Sequence, residues 1–95
     1  MPVPNLDVFR KQLDELDDQL ISLLAERFRI TDQIGLYKSQ NQLAPVDRER
    51  EHSQTVRVNT LAREYGLDAK VAVKVLRLII AEVVKRHKLV QCKAK

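Results

Sequence analysis

The stretch LLAERFRITDQIGLYKSQ, residues 23–40, decides how this 95-residue chain folds. Leu23, Ile30, Ile34 and Tyr37 recur at the spacing of one helix face, and Arg27 stands in the same series where an apolar side chain belongs. Followed backward, the series continues through Leu6, Phe9, Leu13, Leu16 and Leu20 in alternating steps of three and four. That period predicts one amphipathic helix over residues 6–39 with a coiled-coil-like stripe. Asn5 or Asp7 is placed to cap its start. Ile21, Leu24 and Phe28 widen the apolar face, so the helix is expected to pack against more than one neighbour. Gly35, inside the helix, costs about 1 kcal/mol relative to alanine and marks a close backbone approach.

Downstream, SQNQLAP reads as a loop closed by Pro45. Asp47 opens a second helix over residues 47–65, with acidic residues in the first turns as the helix dipole prefers. Val56, Leu61 and Ala62 form its apolar positions, and Gly66 suits the position just past its end. Asp68 caps a third helix over residues 68–90, containing Val71, Val75, Leu78, Ile79, Ala81, Glu82 and Val83. Residues 91–95 are expected to fray. With 44% apolar residues, two glycines and three prolines, the composition suits an all-α protein of three helices in one domain, residues 1–95.

The first helix is long for its chain. Thirty-four residues at ~1.5 Å each span roughly 50 Å, whereas a compact chain of this size has a diameter of roughly 30 Å. An apolar stripe that outruns the globule needs a cover. A second copy supplies it as an intertwined homodimeric helical bundle; a long monomeric hairpin with the other two helices laid along it is the alternative.

The formal charge of +4 and pI near 9.5 admit nucleic acid, an acidic membrane surface or a small anionic ligand, and do not choose among them. The lone cysteine, Cys92, makes no internal disulfide and points to a reducing compartment. The opening MPVPNLDVFR lacks the apolar core of a signal peptide, so the expected location is cytoplasmic. No apolar run reaches 18 residues, so no membrane-spanning helix is expected. His52, His87 and Cys92 make no metal-ligand pattern, and there is no glycine-rich phosphate loop, nucleophilic triad or CxxC pair. The expectation is an activity without metal or cofactor.

Arg27 in the seam needs an anion, because an unpaired buried cation is very costly. Lys38 lies eleven residues on, three turns plus about 20°, so both share a face some 16 Å apart along the axis. Two long cationic side chains bordering one space suggest a doubly negative small ligand; an intramolecular salt bridge is the competing account of Arg27. Arg10 lies too far along the same helix for that ligand, but in an antiparallel dimer it reaches the partner's site. Asp47, Arg50 and Glu51 share one face of the second helix, which on its own also suits a solvated surface. His87, a turn beyond Val83, reads on spacing alone as a surface or capping residue.

Together, LDELDDQLISLLAERFRITDQIGLYK, VDRERE and LIIAEVVKRH resemble the AroQ-type, all-helical (type II) chorismate mutases over roughly residues 6–90. The resemblance implies three helices per chain, interlocked as a dimer with two equivalent sites. It implies that Arg10 of the partner holds one substrate carboxylate and Arg27 the other, and that Lys38 bonds the ether oxygen and a carboxylate. It implies too that Asp47 and Glu51 face the ring hydroxyl while Arg50 orients its neighbours. The family often has Ser where this chain has Val83 and Gln where it has His87; the Gln bonds the ether oxygen, and a ring N–H of His87 is expected to replace it. The implied reaction is the rearrangement of chorismate to prephenate in aromatic amino acid biosynthesis, on the shikimate pathway.

Isochorismate pyruvate-lyases and mutases acting on 4-amino-4-deoxychorismate share this fold and much of the cation set. Asp47 and Glu51 at the hydroxyl end favour the ordinary mutase. A basic helical dimer binding nucleic acid or protein is the reading from another class. It predicts cations spread over one exposed face, whereas Arg10, Arg27 and Lys38 interrupt or border apolar stripes; neither nucleic acid nor membrane is the expected partner.

Overall fold

A computed structural model describes residues 5–93. It is all-helical: α1 spans Leu6–Gln40, α2 Arg48–Glu64 and α3 Ala69–Lys93, with no strand among the described residues. The three expected helices are therefore present, with ends within one residue of expectation except at the end of α3.

Local chemistry sets most of those ends. Asn5 Oδ1 accepts from the amide of Val8 at 3.0 Å, so Asn5, not Asp7, caps α1. Asp47 Oδ1 accepts from the amide of Arg50 at 3.0 Å and caps α2. Asp68 Oδ1 accepts from the amide of Lys70 at 2.9 Å at the start of α3. Past the end of α2, Gly66 adopts a left-handed φ of 70°. The amides of Leu67 and Gly66 then donate to the carbonyls of Ala62 (2.8 Å) and Arg63 (3.2 Å), a Schellman cap.

Helix α1 closes in the same way without glycine. Gln42 takes φ 56°, and the amide of Leu43 donates to the carbonyl of Lys38 at 2.8 Å. A side chain in that region costs about 1–2 kcal/mol. Gln42→Gly is therefore expected to raise stability by up to ~1 kcal/mol, read as a higher urea midpoint at unchanged slope. A lower midpoint would contradict this account of the cap, which holds the backbone turn bearing Lys38.

The end of α3 departs from expectation. Residues 91–93 continue the helix, because Gln91 Nε2 donates to the carbonyl of Leu43 at 2.8 Å and ties the helix end to the α1–α2 loop. Residues 94 and 95 lie outside the described residues.

The chain divides into two compact units, residues up to Ile30 and residues from Thr31 onward. In the first, the described residues are one helical segment. Its stripe residues Leu6, Phe9, Leu13, Leu16, Leu20 and Leu23 are each 50–63% exposed, so this unit has no core of its own. An isolated helix of that kind is marginal in water. In the second unit α2 packs on α3. Ala62 of α2 and Leu76 of α3 are its buried apolar residues, joined by Gly35 and His87. The last turns of α1 are tied to α3 by Arg86, whose Nη1 bonds Asp32 Oδ2 at 3.2 Å while its Nε bonds Glu82 Oε1 at 3.2 Å.

Candidate active site

The expected site residues fall into the two units. Arg10 (exposed) and Arg27 (half-buried) belong to the first; Lys38, Asp47, Arg50, Glu51, Val83 and His87 belong to the second. Arg27 is covered more than the apolar side chains before it in the stripe, which fits a guanidinium whose stem lies along apolar surface. Lys38, also half-buried, sits in the last turn of α1.

The first turn of α2 brings Asp47, Arg50 and Glu51 together. The Asp47 carboxylate holds the Arg50 amide through one oxygen. Glu51 is half-buried, and its carbonyl accepts from Thr55 Oγ1 at 2.9 Å. Its side chain lines an open groove of about 570 Å³ with Val46, Thr55, Arg77, Ile80 and Val84. That volume lies within the range of small-molecule sites. The apolar wall from α3 and the Glu51 carboxylate suit a ring bearing a hydroxyl. Arg77 was not singled out from sequence; it stands four residues before Ala81, on the face of α3 that lines this groove.

Val83 is half-buried on α3 and brings no polar atom. His87 is 3% exposed, not the surface or capping residue that spacing alone suggests. Its Nε2 lies 2.8 Å from the carbonyl of Thr31, and its Nδ1 is buried without a hydrogen-bond partner. As placed, neither ring nitrogen is presented to a ligand, so the expected donation from His87 to an ether oxygen is not the arrangement seen. Beside it, the hydrogen bond to Glu82, then that to Asp32, holds the Arg86 guanidinium above its usual value and firmly charged. Among the described residues, no cluster of His, Cys, Asp and Glu is arranged to hold a metal ion, and no helix is long and apolar enough to cross a membrane.

An all-α chain of three helices, with a cation in its long apolar seam and a largely apolar groove bearing Glu51 and Arg77 between the other two helices, defines a narrow class. Residues 9–88 match the family described as chorismate mutase type II. The chain is 28% identical over 78 residues to the chorismate mutase of Methanocaldococcus jannaschii, covering 82% of this chain and 79% of that protein. It is 33% identical over 89 residues to the bifunctional chorismate mutase/prephenate dehydratase of Buchnera aphidicola, covering 93% of this chain and 23% of that protein. The corresponding bifunctional protein of Escherichia coli K12 is 34% identical over 75 residues, 77% of this chain and 19% of that protein. The chain thus spans about four fifths of the first relative and a quarter or less of the other two. It belongs to the type II chorismate mutase family, and so to the isomerases.

Proposed function

We propose that two copies of this chain interlock and convert chorismate to prephenate, in aromatic amino acid biosynthesis, at two sites built from both chains. The observation that carries this reading is Arg27, a half-buried cation in a stripe whose other members from Leu6 to Leu23 are apolar and exposed. Full burial of a Leu or Phe is worth roughly 1.5–3 kcal/mol. Six such residues, each about half covered already, leave several kcal/mol for a second copy to recover. A dianionic substrate supplies the counter-charge that Arg27 lacks within the stripe.

The chemistry needs neither nucleophile nor base. The ether C–O bond breaks as the new C–C bond forms, in one concerted step. The protein's task is to hold the folded, reactive conformer and to place donors where negative charge grows on the ether oxygen. In this reading Arg27 and the partner's cation, equivalent to Arg10, clamp the two carboxylates, and Lys38 bridges a carboxylate and the ether oxygen. Asp47 and Glu51 take the ring hydroxyl, with Arg50 orienting them, and Val83 adds apolar wall. No metal or cofactor enters any step.

Purified protein is expected to consume chorismate and yield prephenate without added metal or cofactor. Turnover of isochorismate alone, giving salicylate and pyruvate, would replace this reading with that of a lyase, and preference for 4-amino-4-deoxychorismate with that of the amino-substrate mutase.

A further inference from the structure

Building on that reading, we propose that His87 is a positioning residue: its ring, seated against Gly35, pins the last turns of α1 to α3 and so sets where Lys38 stands. A carbonyl oxygen only accepts, so Nε2, 2.8 Å from Thr31 O, carries the ring hydrogen. Nδ1 is then the lone-pair nitrogen, and it is buried without a partner among the described residues. Gly35 makes the seat. It follows Thr31 by four residues, so a side chain there would lean back over the Thr31 carbonyl. A Cβ on Gly35 would stand 2.6 Å from His87 Cδ2, well inside contact distance. The neighbouring residues reinforce the pin: Arg86 precedes His87, Asp32 follows Thr31, and the two are joined at 3.2 Å.

Lys38 is three residues beyond Gly35, less than one turn. A shift of this segment carries the lysine with it, and a misplacement of ~1 Å can cost on the order of 100-fold in rate. The charged residues of this unit's helices that are not exposed are Lys38 on α1, Glu51 on α2, and Glu82 and Arg86 on α3; Asp32 on α1 and the remaining charged residues of α2 and α3 are exposed. Asp32 and Glu82 are engaged with Arg86. An N–H at Nδ1 would find no acceptor, and an unsatisfied buried donor works against docking, so the Nε2–H tautomer is the one that fits the seat.

The test measures kcat and KM for chorismate, with hydrogen exchange of the 31–38 amides, in the wild type and in Gly35→Ala, His87→Ala, the double variant and His87→Gln. Gly35→Ala and His87→Ala are each expected to lower kcat roughly 10- to 100-fold with KM changed less than about threefold. The double variant should be no worse than either single, because the clash needs the ring. His87→Gln, whose amide reaches the Nε2 position, should keep kcat within about fivefold. Loss of kcat in Gly35→Ala and His87→Ala should be matched by loss of amide protection over 31–38. Full activity in Gly35→Ala, or multiplicative losses in the double variant, would overturn the proposal in favour of direct donation. ¹⁵N spectra of the free wild-type protein decide the tautomer without activity: a ring protonated at Nδ1 instead of Nε2 overturns the pin. Absence of any chorismate turnover with the Nε2–H tautomer and protected amides would sink the functional reading and leave the pin standing.

Discussion

Lys38→Ala lowers kcat/KM for chorismate by roughly 10²–10³-fold, the ~2.7–4 kcal/mol lost when one preorganised donor to a developing oxyanion is removed. The reaction has no nucleophile to fall back on, so its barrier depends on conformer selection and on charge placed at the ether oxygen. Lys38 is suited to the second task because its stem is half-buried in the last turn of α1 while the backbone beneath it is fixed by the Gln42 cap. The loss falls mainly on kcat, since charge on the ether oxygen develops only toward the transition state. Lys38→Arg keeps the charge but replaces a compact ammonium with a planar fork, and recovers only part of the rate. Circular dichroism and the urea midpoint should change little in Lys38→Ala, because the ion pairs among the described residues run through Arg86 and not Lys38. A variant that unfolds, or one that loses less than about fivefold in kcat/KM, would remove Lys38 from the chemistry.

What the sequence made legible was whatever is local. The stripe from Leu6 to Tyr37 follows from the 3.6-residue period alone; the caps at Asn5, Asp47 and Asp68 follow from side chains that bond backbone within three residues, and the cap at Gly66 from glycine's freedom at positive φ. Arg27 stood out because a cation in such a stripe conflicts with its neighbours. Four features were not legible, each for a physical reason. Gln42 adopts a left-handed conformation for which glutamine gives no signal. Helix α3 runs on through Lys93 because Gln91 reaches a loop carbonyl 48 residues away in sequence. His87 is buried because Gly35, on another helix, leaves room for its ring, and spacing along α3 carries no trace of that. Arg77 was overlooked since its place in the Glu51 groove depends on how α2 lies on α3. The flag raised by Gly35 as a close backbone approach did point to the right place, though not to its occupant.

The central claim is that each site draws cations from two chains. Arg10→Ala and Arg27→Ala should each be almost inactive alone, because every site in either homodimer lacks one carboxylate clamp. Unfolded together in equal amounts and refolded, half of the dimers pair one variant with the other. In those, one site carries both defects and its twin carries none. Activity should therefore return to about one quarter of wild type, as the symmetry of a twofold dimer requires. A mixture no more active than its parts would contradict the shared site and place Arg10 and Arg27 in the service of the same chain.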